Sequence, residues 1–189
     1  MILALPPELL VPALAGAAFA GAYLSAAVGI GGGTLFIVLL YLLLPPQVAL
    51  PLHGAVQVLN NGVRLIAFRK AVVWPIARAF IIPVLPAIGA GWLLLGVLDT
   101  DLMVGMLGVY VVFSSLRPPA QSTELKPKQW SGLGALASLS SMLVGAADPV
   151  IAPFFANKRY RREEVIATKA ICQLSTHIPK VILFVTLGQ

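Results

Sequence analysis

The sequence predicts an all-α membrane protein: a polytopic helical bundle of two inverted repeats, with broken or re-entrant helices at its glycine and proline motifs. Three observations lead there. Of the 189 residues, 59% are hydrophobic and only 11% charged, where soluble domains carry nearer ~25% charged residues; mean hydropathy is +0.93. The apolar residues fall in successive runs, interrupted by Gly and Pro and separated by short charged blocks. The chain also aligns with itself at an offset of 116 residues.

No polar half is left over for a separate soluble domain. The formal net charge is +6. Its basic residues sit in short blocks between apolar runs, the pattern of cytoplasmic loops, so membrane lipid rather than nucleic acid is the expected neighbour. Cys172 is alone, which excludes an intramolecular disulfide. The first Lys or Arg is Arg64, so the amino terminus lacks the basic region of a secretory signal and residues 9–28 read as a retained span.

That first span, 9–28, has the ~20 residues a bilayer requires, with Gly16, Gly21 and Ser25 small enough for close helix packing. The cluster Gly29-Ile30-Gly31-Gly32-Gly33 interrupts it, since each glycine costs about 1 kcal/mol in a helix. Residues 34–44 are too short to cross alone and read as a half-helix or re-entrant segment. Pro45-Pro46-Gln47 is a turn. Residues 48–67 are the next helix, with Pro51 in its first turn, followed by a basic loop over 69–78. Residues 79–98 form a span broken by Pro83 and Pro86, and Asp99 and Asp101 mark an acidic turn. Residues 102–116 are another span. The polar linker that follows ends at Trp130, read as an interfacial anchor. Residues 131–144 are small and apolar, 145–157 carry Asp148-Pro149 and Pro153, and 163–187 form the last helix.

At the 116-residue offset Gly16 meets Gly132, Ser25 meets Ser141, Val28-Gly29 meets Val144-Gly145, and Gln57 meets Gln173. Polar positions match in kind as well: His53 with Lys169, Asn60 with Thr176, Asn61 with His177, and Arg64 with Lys180. The turn at 45–47 has no Lys or Arg, whereas its counterpart at 158–162 has four. By the positive-inside rule these equivalent loops face opposite sides, which makes the repeats inverted and places the amino terminus outside. Residues 1–117 then form the first repeat with two additional spans, 118–129 a cytoplasmic linker, and 130–189 a second repeat that stops short of the matching spans. Inverted repeats place solute sites at their interface, on discontinuous helices near the midplane.

The candidate site follows from polar groups in apolar surroundings. His53, Gln57, Asn60/Asn61 and Arg64 share one helix face, and Lys169, Gln173, Thr176/His177 and Lys180 repeat the spacing. Lipid cannot solvate them, so the stripes face protein, water or a solute, and ionisable members are functional candidates. Arg64 and Lys180 alternatively snorkel to an interface, and Gln57, Gln173, Asn60 and Thr176 alternatively bond neighbouring helices. Gly29, Gly31, Gly32 and Gly33 either kink a helix or free backbone N–H groups at a half-helix start, where an anion is favoured. A dinucleotide fingerprint would need a strand before the glycines. Asp148 senses a proton, holds a cation or caps the helix begun by Pro149. His53 and His177 relay protons or simply hydrogen-bond. No His, Cys or carboxylate spacing suits a metal, no cofactor is implied, and no nucleophile–base pair suggests an enzyme.

Val28-Gly29-Ile30-Gly31-Gly32-Gly33, Gly145 with Asp148-Pro149 and Pro153-Phe154-Phe155, and Val165-Ile166-Ala167-Thr168-Lys169-Ala170 running on through Gln173 and His177 to Lys180 together resemble the TauE/SafE family of sulfite-exporter-like membrane transporters. The resemblance covers nearly the whole chain. It implies transport, with export the leading expectation, of small, often sulfur-containing anions across the bacterial inner membrane. Members are longer by about two spans, so the sequence is expected to be either truncated or a short form completed as a homo-oligomer. A passive anion channel and a non-transporting assembly subunit are the rival expectations.

Overall fold

The computed structural model describes residues 6–28, 32–116, 125–155 and 160–187. Gly29 and Gly31 lie outside the described residues. Among those described, all regular structure is helical. The elements are α1 (Pro7–Val28), α2 (Gly32–Leu43), α3 (Pro46–Phe68), a 3-10 turn (Arg69–Ala71), α4 (Trp74–Ile81), α5 (Val84–Leu95), α6 (Thr100–Leu116), α7 (Pro127–Leu143), α8 (Asp148–Phe155) and α9 (Arg162–Leu187). Two described stretches, Trp74–Leu95 and Arg162–Leu187, are long and apolar enough to cross a membrane, and Glu8–Leu24, Gly32–Leu43 and Thr100–Phe113 are shorter apolar helices.

Helix starts obey local chemistry. Pro46, Pro75 and Pro127 lie in the first turns of α3, α4 and α7, where a missing N–H costs nothing. Gln129 and Glu164 fold back to accept the backbone N–H of Lys126 and Arg161 at 2.7 and 2.8 Å, the reciprocal half of a capping box. Asp99 caps α6 by accepting the Leu102 N–H at 2.7 Å. α2 has 12 residues and α8 has 8, lengths of about 18 and 12 Å at 1.5 Å per residue. Both fall well short of a ~30 Å hydrocarbon core. Their starts, Gly32 and Asp148, are 116 residues apart, as are those of α3 and α9, Pro46 and Arg162.

α3 and α9 make the most extensive helix pairing. They run antiparallel: Gly54, early in α3, lies against Lys180 and Val181 late in α9, while the Val73 N–H beyond α3 donates to Thr168 Oγ1 early in α9 at 2.9 Å. α4 and α5 cover α7, where Gly134 meets the backbone of Phe80 with no room for a Cβ. The main core gathers Ile37 and Leu40 of α2, Leu50 of α3, Ile88 of α5, Ile151 of α8 and Phe184 of α9.

Three local expectations are corrected. The basic loop ends earlier than residue 78, because Pro75 in a first turn lets α4 begin at Trp74; Arg78 lies on that helix with its guanidinium 5.9 Å from the Trp74 ring centre. α3 begins at Pro46, so Pro51 falls in its second turn rather than its first. Trp130 is 5% exposed and packs with its ring 5.1 Å from that of Phe155. It is a core residue, because α8 turns back over α7 and covers it.

Candidate functional site

α2 and α8 both begin at one small cavity beside the α3–α9 crossing. Gly33 and Thr34 line it from α2, His53 and Gln57 from α3, Ala146, Ala147 and Asp148 from the start of α8, and Gln173 and His177 from α9. It encloses about 10 Å³, room for a single water. Gly33 leaves room for Gln57: a Cβ there would run into the Gln57 amide nitrogen and push that side chain aside. Gly145 takes φ +84° just before α8, in the left-handed region that glycine enters without strain.

The hydrogen bonding is uneven across the cavity. His53 Nε2 lies 2.9 Å from the Gly33 carbonyl and 3.2 Å from Gln57 Nε2. The carbonyl can only accept, so Nε2 carries the proton and donates to it. The Gln57 amide N–H then meets no lone pair on that nitrogen and is left for another acceptor. His53 Nδ1 and Thr34 Oγ1 are buried without a partner among the described residues. The rings of His53 and His177 meet edge to face, with centroids 5.6 Å apart, and His177 Nδ1 is 3.4 Å from Ser141 Oγ.

The second stripe is more heavily charged. Asp148 Oδ1 accepts from Lys169 Nζ and from Gln173 Nε2, both at 2.9 Å. Lys180 is fully buried and its ammonium donates to the Ser141 carbonyl at 3.0 Å. Among the described residues no carboxylate lies within salt-bridge distance of it. A lysine so placed meets one neutral dipole in place of a counter-charge.

Other predicted residues stand farther back. The Asn61 amide is buried and donates to the Gln57 carbonyl oxygen at 2.9 Å, so it holds the backbone under Gln57. Thr176 bonds its own helix through the Cys172 carbonyl at 3.1 Å. Asn60 and Arg64 are half-buried on α3 and do not line the cavity, and Gly32 is buried at the first position of α2. Sequence reasoning passed over Thr34, Ser141 and Tyr110, whose hydroxyl donates to the Ala146 carbonyl at 2.9 Å and ties α6 to the cavity wall. Ser141 had one signal, its match with Ser25 at the repeat offset.

The family model for the sulfite exporter TauE/SafE matches residues 13–189. The chain belongs to the TauE/SafE family. It is accordingly a member of a family of membrane transporters of the sulfite-exporter type. The match takes in both half-helix starts, both polar stripes and all the cavity-lining residues of this TauE/SafE protein. Comparison with curated proteins and with solved structures finds no match.

Proposed function

We propose that the protein exports a small, sulfur-containing anion such as sulfite or an organosulfonate, and that the cavity between α2, α3, α8 and α9 is its binding site. One observation carries the reading. The N-termini of α2 and α8, whose dipoles favour negative charge, converge with the Gln57 and Gln173 amides on one space, and the buried Lys180 amine is joined to it through Ser141, the neighbour of the lining His177. The same 116-residue spacing between the starts of α2 and α8 and of α3 and α9, together with the antiparallel α3–α9 crossing, supports two inverted repeats, 1–117 and 130–189, joined by 118–129. In that scheme the chain is a multi-span bundle of the bacterial inner membrane with its amino terminus outside. One repeat rocks against the other to expose the cavity to alternate faces.

The test is flux in proteoliposomes with sulfite, thiosulfate and methanesulfonate. The wild type is expected to carry at least one of them with saturable kinetics, and Gln57→Ala with Gln173→Ala to abolish that flux. Unchanged flux in the double variant would falsify the paired site.

A further inference from the structure

We propose that Asp148 is a built-in stand-in for the transported anion: its carboxylate occupies the donors of the second half-site when no solute is bound, and competes the solute off at release. This rests on the anion reading above. The donors an anion needs on the α9 side are an ammonium, Lys169, and an amide N–H, Gln173, and both are engaged by one oxygen, Asp148 Oδ1, at 2.9 Å. The carboxylate also sits on the first residue of α8, where a bound anion would meet that helix's dipole. The Lys169 ammonium, the Gln173 amide and the α8 dipole are thus already satisfied by a covalently attached carboxylate.

The volume agrees. At about 10 Å³ the cavity admits a water, not a sulfur oxyanion of four or more heavy atoms. With the helices packed as they are here, room comes from a side chain that moves. Gln57 is braced from Asn61, whose amide donates to its backbone carbonyl at 2.9 Å and approaches its side-chain oxygen at 3.5 Å, and Ala146 is tied by Tyr110. The Asp148–Gln173 clasp is the wall made of two flexible side chains from different helices. Opening it yields both space and donors in one step. The first half shows the contrast: at the equivalent position Gly32 has no side chain, and among the described residues no carboxylate pairs with the start of α2.

A merely structural Asp148 predicts something different. Asn and Ser start helices as well as Asp does, so a capping role would leave anion binding unchanged in Asp148→Asn and Asp148→Ser. An orienting role toward Lys169 would make both variants bind more weakly. The competitor role makes them bind tighter and turn over more slowly, because the solute no longer has an internal rival.

The experiment measures binding and flux of thiosulfate and methanesulfonate, whose charge does not change across the neutral range, in wild type, Asp148→Asn and Asp148→Ser. The expected result is Kd lower by about tenfold or more in both variants, with KM and maximal flux falling together. Either neutral variant keeps the test open if the other fails to fold. Binding that is unchanged or weakened in the folded variants overturns the proposal while leaving the anion reading intact. A wild type that binds and carries neither probe nor sulfite overturns the anion reading, and this proposal with it.

Discussion

Lys180 and Gly54 touch across the α3–α9 crossing: a Cβ on Gly54 would come within 3.0 Å of Lys180 Cε. The missing side chain on one helix makes the channel through which the other passes its ammonium to the Ser141 carbonyl. Close packing and a buried cation are therefore one arrangement here, and they can be separated by mutation.

Lys180→Met keeps the length of the stem and removes the charge. Replacing a buried ion by an apolar group of similar shape is commonly neutral or stabilising. Thermal unfolding should show stability unchanged or raised. Anion flux should drop by roughly tenfold or more. A variant that unfolds early yet transports normally would reverse the assignment.

Gly33→Ala places a Cβ against the Gln57 amide. Gln57 must swing out of the cavity while the core, centred on Ile37 and Leu50, is untouched. A misplacement of about 1 Å at a working site costs up to about 100-fold. Flux should therefore fall by roughly tenfold or more, with little change in unfolding temperature.

Two α7 glycines offer a paired control. Gly134 lies on the Phe80 backbone, whereas Gly132 faces open space. Gly134→Ala should destabilise by about 1–3 kcal/mol through overpacking that backbone atoms cannot relieve. Gly132→Ala should be neutral or stabilising by up to about 1 kcal/mol, through helix propensity. Denaturation of both variants in one detergent checks the sign of each.

Gly145→Ala meets two penalties. Its φ of +84° disfavours a side chain, and the added Cβ would approach Ile37 Cγ1 to 2.6 Å. Backbone strain of about 1–2 kcal/mol and overpacking of about 1–3 kcal/mol combine to a loss of roughly 2–5 kcal/mol, measurable by thermal shift.

Much of the site was legible because burial of polar groups in an apolar chain leaves a pattern. The i, i+4 spacing of His53 and Gln57 and its repeat at Lys169 and Gln173 marked the two helices that cross at the cavity. Depth along the helix was not legible from a face alone. Arg64 shares the stripe, but 11 residues beyond His53 put it about 16 Å farther along the axis, away from the cavity. Nor could the period choose between Asn60 and Asn61, since adjacent residues both fall within the width of a stripe; the structure buries Asn61 and leaves Asn60 at the margin. Trp130 was misread because its cover, Phe155, comes from another helix. Thr34 left no signal, being a single hydroxyl in an apolar run whose partner-free burial only the packed structure displays.

The pairing of α3 with α9 also has a consequence for biogenesis. The two helices begin 116 residues apart in the chain, so at ribosomal rates α3 waits roughly 6–23 s for its mate. During that interval His53, Gln57 and Asn61 lack the surface that later encloses them, and bare hydrocarbon is a poor host for such groups. On the proposed multi-span reading, the nascent chain shelters that face in the insertion machinery or against α2. Variants that lengthen the wait, rather than weaken the finished fold, should then be selectively degraded.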